Sequence, residues 1–465
     1  MKDKYKNLFK DILIFALGNI GSKLLLFLMV PLYTNYLSPE EYGTSELIFT
    51  LSQLLLPFVS FVIFDAVIRF GLSKQYQSED VLLCALIVAA VGGLITVGIT
   101  PFLEFYGEVS HWKWYLCILL ILSIVEPIEL NYLKICDKNK TYAIISVTRT
   151  FVVALLSIIF LTGFQMGIRG YLLANIIGAF VSCTMAFFVG ALWNALKKAK
   201  FQRMLLKEML AFSAPLILNN VSWWVVQSSN KILVNAVLGA AALGIFTVAT
   251  KIPSLINVLI TIFSQAWGLS AVKEIEETQE TSFYSDVLAC YQTIAFGAAV
   301  FLIAIIKPFM SVYVSSEFQD AWKYVPLLLV GASFSALAVY FASVYSALKK
   351  SLNNMISALI GAGINIGLSL LLISRFGIFG AAIGTCVSYG AVSVLRMLDI
   401  WRLIKMRMST KSILLNACIV LIQSIAVSID FYPLPFSICA VILFVIVNKK
   451  IIITLFKTIL PKHKI

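Results

Sequence analysis

The chain has 465 residues, 60% of them hydrophobic and only 13% charged, whereas a soluble domain carries about 25% charged residues. Together with a mean hydropathy of +0.94, this excludes a string of water-soluble domains, a disordered chain, a coiled coil, a collagen or a disulfide-stapled secreted module, and leaves lipid as the solvent. The net charge of +13 therefore reads as a membrane-orientation signal, and no nucleic-acid partner is expected.

A span needs about 20 mostly apolar residues. The sequence predicts fourteen, near 12–37, 44–69, 81–103, 112–133, 141–162, 171–193, 210–238, 244–270, 286–306, 324–348, 352–374, 378–401, 412–430 and 434–456. The first follows the basic start MKDKYKNLFK and continues without a small-residue cleavage site, so it reads as a retained helix, not a signal peptide. Pro31, Pro57, Pro215 and Pro253 fall within spans and can kink them, with Pro31 and Pro253 the candidates for gating bends. Trp112, Trp114, Trp193, Trp322 and Trp401 fall at span ends as an interfacial belt. The eight cysteines are scattered without a CxxC pair, and the histidines are His111 and His463 alone. No metal site and no cofactor are expected from them.

With the N-terminus inside, the inner segments carry 26 Lys/Arg and the outer segments 5 (Lys113, Arg169, Lys307, Lys323 and Arg375). That asymmetry places both termini in the cytoplasm of a multi-pass protein of the cell membrane. No outer segment is long enough for an extracytoplasmic catalytic domain, so the work falls to the helices themselves.

The chain also repeats itself. YLSPEEYGTSELIFTL (36–51) aligns without gaps on VLGAAALGIFTVATKI (237–252), and MGIRGYLLANIIG (166–178) on FGIFGAAIGTCVS (376–388). Six spans per copy is an even number, so the two halves share one orientation, the parallel arrangement used by some alternating-access transporters. The expected organisation is an all-α polytopic membrane protein. It has an N-terminal lobe (1–193), a cytoplasmic linker (194–209), a C-terminal lobe (210–401), and a remainder (402–465) holding the extra spans 13 and 14.

The run SKLLLFLMVPLYTNYLSPEEYGTSEL (22–47) resembles the first-hairpin signature of polysaccharide exporters and O-antigen flippases. These belong to the multidrug/oligosaccharidyl-lipid/polysaccharide superfamily. The GIxGA-type turns at 167–171 and 377–381, and the plan of twelve core spans with two extra, resemble the same superfamily. The resemblance implies a bacterial flippase that carries an undecaprenyl-diphosphate-linked oligosaccharide from the inner to the outer leaflet by alternating access, without chemistry on the substrate. It implies that spans 13 and 14 help accommodate the polyprenyl tail. The lipid-linked glycan and membrane lipid would be its partners, with a polysaccharide polymerase and chain-length proteins as further ones.

Ionisable residues inside spans are expensive and invite a functional hypothesis. Lys23 and Arg149 lie near the middle of spans 1 and 5, and Lys231 and Lys251 in the outer halves of spans 7 and 8. One reading is a basic cavity that binds a diphosphate; the other is pairing with Glu46, Glu126 or Glu129. Glu126 and Glu129 flank Pro127 and are candidates for coupling to H+ or Na+, alongside the membrane potential, or for anchoring a basic neighbour. The polar and aromatic run of span 7, including Trp223, Trp224, Gln227 and Asn230, reads either as a glycan-facing wall or as helix-packing glue. Asp65 with Arg69, and Arg396 with Asp399, are spaced as self-neutralising pairs. The rivals to a flippase are a multidrug antiporter of the same superfamily, which should line its cavity with acids, and a membrane glycan polymerase or glycosyltransferase, which would need a longer loop.

Orientation is testable directly. Single-cysteine labelling in a cysteine-free background is expected to find positions 197–203 reachable only from the cytoplasm and positions 39–41 and 240–242 only from outside. External labelling at position 200 would overturn this topology.

Overall fold

The computed structural model describes residues 25–73, 75–105, 107–258, 260–261, 281–348, 350–405 and 409–459. Among them the structure is helical throughout. Ten helices are long and apolar enough to cross a membrane, and two bent helix pairs pass the same test together. The shorter apolar helices Leu25–Tyr36 and Ala240–Lys251 occupy the places of the first and eighth predicted spans. The chain is a multi-pass membrane protein, and its described helices account for all fourteen predicted positions.

The principal helices are α1 (Leu25–Tyr36), α2 (Pro39–Ser60), α3 (Ile63–Gly71), α4 (Ser78–Ile99), α5 (Lys113–Ile135), α6 (Asn139–Ile158), α7 (Gly167–Phe188) and α8 (Leu192–Lys198). They continue with α9 (Arg203–Leu238), α10 (Ala240–Lys251), α11 (Thr281–Tyr313), α12 (Val325–Ala347), α13 (Ser351–Phe376), α14 (Ile378–Ile404), α15 (Thr410–Ser428) and α16 (Pro433–Ile459). Two compact units divide the chain, Met1–Ser228 and Ser229–Ile465. The boundary falls inside α9, whereas the sequence placed it in a linker at 194–209. That segment is bound into the first unit. The Asp80 carboxylate accepts from the Lys200 backbone N–H at 2.7 Å and from the Gln202 amide, and Tyr76 donates to Glu208 at 3.0 Å. Leu205 and Met209 are fully buried in the core of the unit. The linker reading followed its charge, but a capping carboxylate and two apolar side chains hold it in place.

Within the first unit, the predicted second span is two helices, α2 and α3, meeting at 54°. Phe61 and Val62 both take left-handed backbone (φ 51° each), which costs roughly 1–2 kcal/mol for a side-chain-bearing residue. Pro57 precedes the break. In hydrocarbon the groups freed by such a break must find partners. Ser60 Oγ accepts from the Val62 N–H, Ser213 donates to the Val62 carbonyl, and Asn131 donates to the Phe64 carbonyl at 2.9 Å. Gly92 of α4 packs directly on the Val59 carbonyl, where a Cβ would have no room. At the start of α2, Ser38 and Glu41 form a reciprocal capping box.

The repeat is visible in the backbone. Gly167 and Gly377, aligned in the sequence, are both in the left-handed region (φ 54° and 59°). Gly170 packs on Phe160 and Met166, and its counterpart Gly380 packs on the Leu372 backbone. Ser38 and Gly239, aligned in the other match, both stand immediately before the second helix of a hairpin.

In the second unit, α15 and α16 are joined to α11 by a buried polar ladder. Gln292 donates to Ser412 (3.3 Å), and Asn448 links Thr293 (3.2 Å) to Asn416 (2.8 Å). Further along, Gln423 donates to the Val300 carbonyl (3.0 Å), and Lys307 pairs with Asp430 (2.6 Å). Val300–Gln423 and Lys307–Asp430 both lie 123 residues apart, so α11 and α15 run in the same direction with a constant register. The contact residues recur at the heptad step that keeps one seam facing a parallel partner.

The expected pairs of like spacing do not form. Arg396 is buried and bonds instead to Ser357 Oγ and to the carbonyls of Ala338 and Asn354, while Asp399 accepts from Tyr345 and Asn353. Arg69 is exposed, and no ion pair joins it to Asp65 among the described residues. Helical spacing brings two side chains within reach, but for Arg396 and Asp399 the neighbouring helices offer other partners.

Gly380→Val should push the α14 start off the Leu372 backbone and destabilise the protein by about 1–3 kcal/mol. Gly363→Ala, with nothing within 4 Å of the added Cβ, should be neutral or stabilising. Thermal unfolding of the purified variants in detergent reads the difference.

Candidate functional site

Three helices of the first unit bring charge together within the bilayer. Arg149 sits ten residues into α6, a rise of about 15 Å, and Glu126 lies at a matching depth from the C-terminal end of α5, where α5 and α6 connect. The Arg149 Nη1 lies 2.8 Å from Glu126 Oε2, with the two side chains 41% and 7% exposed. Glu129, one turn further along α5, is buried, with Cys183 of α7 as a buried neighbour. Glu126 Oε1 and Glu129 Oε2 are both buried without a hydrogen-bond partner. Gly178 lets α7 approach Val153 and the Arg149 carbonyl closely, which brings α7, and Cys183 on it, up to α6.

Of the two readings open for Arg149, pairing with Glu126 is the one the structure shows. The pairing is partial, since the guanidinium has five N–H donors and remains well exposed. Lys23, its expected companion, lies outside the described residues. Lys231 and Lys251 are half-buried, the first on α9 and the second at the last residue of α10.

The polar run of α9 does not form one wall. Trp224 donates its indole N–H to the Thr50 carbonyl of α2 at 3.2 Å. Asn230 donates within the second unit to Asn365 (3.1 Å), Thr385 (2.7 Å) and the Ala381 carbonyl, so it serves as packing glue. Asn220 and Ser222 bond back to their own helix, and Gln227 is exposed. The side chain of Trp223 lies outside the description. Of the candidate hinges, Pro31 adjoins a break in the first helix at Met29, and Pro253 one at Ile252, as a residue without an N–H favours.

The predicted tryptophan belt is exposed at Trp114, Trp193 and Trp401. Trp322 is instead buried, with the Lys307 ammonium 5.0 Å from its ring centre. Three of the five cations assigned to the outer side are neutralised, Lys113 by Glu104 (2.8 Å), Lys307 by Asp430 and Lys323 by Asp320 (2.7 Å). Asp320 raises the Lys323 ammonium above its ordinary pKa through their hydrogen bond.

Sequence reasoning missed Cys183 as a neighbour of Glu129 and missed the ladder on α11 and α15. The first had no sequence signal. The second had one, the equal seven-residue steps through Thr293, Val300 and Lys307 and through Asn416, Gln423 and Asp430.

Comparison with known proteins agrees with this architecture. The family model described as polysaccharide biosynthesis protein matches residues 8–268. A curated relative, Lsg locus putative protein 1 of Haemophilus influenzae, is 22% identical over 263 residues, 56% of this chain and 64% of its own. The chain thus spans less than two thirds of that relative's length. The fold is similar to that of the lipid II flippase MurJ in an inward closed conformation (TM-score 0.69, 15% identity, 96% of this chain and 100% of that one). It is also similar to an inward-facing multidrug resistance MATE family transporter of the MOP superfamily (TM-score 0.64, 17% identity, 82% and 94%). The chain belongs to the polysaccharide biosynthesis protein family and has the fold of that transporter superfamily.

Removing Arg149 strands Glu126 in a buried place without its cation. Arg149→Ala is expected to cost about 1–3 kcal/mol, less than a fully buried pair because the arginine is partly exposed. Glu126→Gln added to it should restore most of that loss, read as thermal unfolding of the purified single and double variants.

Proposed function

We propose that this member of the polysaccharide biosynthesis family is a flippase that moves a polyprenyl-diphosphate-linked oligosaccharide, in bacteria an undecaprenyl one, from the inner to the outer leaflet of the cytoplasmic membrane. The observation that carries the reading is Arg149, a cation at mid-membrane depth in a chain of this family, with donors left over after its bond to Glu126. A diphosphate leaving water needs compensating charge, and a guanidinium can fork onto its oxygens. An inside-negative potential favours outward movement of the anion by roughly 2.3 kcal/mol per charge per 100 mV. Both termini face the cytoplasm in this scheme, and a polymerase and chain-length proteins would take the product onward. No covalent step is needed, which sets the proposal apart from a glycan polymerase or glycosyltransferase.

A multidrug antiporter is the second reading, favoured by the MATE neighbour and by the buried acids Glu126 and Glu129. Against it, the most accessible charge of that cluster is the arginine.

The test uses proteoliposomes holding a fluorescent short-chain polyprenyl-diphosphate glycan, with quenching from one face reporting translocation. Wild type should translocate it, Arg149→Ala at least tenfold more slowly, and Arg149→Lys at an intermediate rate because charge survives but the fork is lost. Arg149→Ala with Glu126→Gln should remain slow even where stability has returned. Wild-type translocation by Arg149→Ala, with cationic dye efflux in the same vesicles, would instead establish the antiporter.

A further inference from the structure

Among the described residues, the acid pair beside Arg149 is not electrically balanced. Two carboxylates, Glu126 and Glu129, stand one turn apart on α5, 5% and 4% exposed, and the described residues bring one guanidinium to them. With both ionised the cluster would hold an uncompensated negative charge away from water, a costly arrangement. It also lacks donors, since Glu126 Oε1 and Glu129 Oε2 are both buried with no partner. An ionised carboxyl group can only accept. A single proton corrects both deficits, removing one charge and supplying one donor.

The described residues of the surrounding helices do not supply that correction otherwise. Besides α6 with Arg149 and α7 with Cys183, helices α2, α3 and α4 pack on α5 and carry Glu40, Glu41, Glu46, Asp65, Arg69, Glu79 and Asp80. Glu129 Oε2 keeps no partner among the described residues.

We propose that Glu126 and Glu129 share one exchangeable proton, and that capture of a phosphate-bearing headgroup by Arg149 draws a second proton onto Glu126. The second half rests on the flippase reading above; the first half does not. When the guanidinium turns to a phosphate, Glu126 loses its cation and both its oxygens are left buried and unpaired. It then takes a proton from bulk solution, relayed by water that entered with the headgroup, passing from carboxylate to carboxylic acid as a hydronium ion returns to water. Release of the anion returns Arg149 to Glu126, and the proton leaves. Anion and proton binding are thus reciprocally linked, each strengthening the other.

Two measurements on the full-length protein in nanodiscs separate the halves. The first is infrared spectroscopy without ligand. A carboxylic-acid C=O band, shifted by deuterium exchange and removed by Glu129→Gln or Glu126→Gln, is expected; its absence from wild type would overturn the shared proton. The second is binding of farnesyl diphosphate from about pH 7.5 to 8.5. Affinity should weaken about tenfold per pH unit, the slope of one linked proton. Glu126→Gln should bind with a nearly flat profile. A wild-type slope equal to that of Glu126→Gln would overturn the linkage while leaving the flippase reading intact. Failure of wild type to bind the diphosphate at all would overturn the anionic-substrate reading and the linkage with it, while the infrared result stands by itself.

Discussion

Inside a bilayer no water is available to a polar group that lacks a protein partner, and much of this fold is organised by that constraint. The broken second span shows its reach. Phe61 and Val62 leave helical geometry, and the consequences are met one by one by Ser60, Ser213 and Asn131 from three helices. A break that would be costly in isolation is held by side chains up to 151 residues away in sequence. Gly92 completes the site by letting α4 lie directly on the backbone beside the bend.

The same constraint sorts the charged residues. Arg396 is buried and has three protein acceptors, so its guanidinium is spent on packing α14 against α12 and α13. Arg149 has a single carboxylate and keeps much of its surface open. Both are arginines within predicted spans, and they differ in what remains available to a ligand. The paired cations Lys113, Lys307 and Lys323 carry less free charge than their number suggests.

The two units use different devices to hold their helices. The first depends on a broken helix, a capping box and a cluster of buried acids. The second depends on amide and hydroxyl groups, each worth roughly 0.6–1.7 kcal/mol within a membrane, arranged in series along α11, α15 and α16. Because these contacts tie α15 and α16 to α11 from Gln292 to Lys307, with one register from Val300 to Lys307, the extra helices are integral to the second unit. A role for them beside a polyprenyl tail would be played by a body already fixed to α11.

The spans and the glycine turns at 167 and 377 were legible in the sequence, because hydropathy and backbone freedom act over a few residues. The resemblance carried by the first hairpin pointed to the family that the comparisons then showed. Arg149, Glu126 and Glu129 were also legible as candidates, since any ionisable residue in an apolar run stands out. What tertiary structure decided was the partner of each. Asp65 with Arg69 and Arg396 with Asp399 have the spacing of pairs and do not pair, Asn230 turns into the packing of its own unit, and the charged segment 194–209 is anchored by Asp80. Spacing along one helix fixes which side chains are within reach; which bond forms depends on the acceptors that other helices, distant in sequence, bring to the same place.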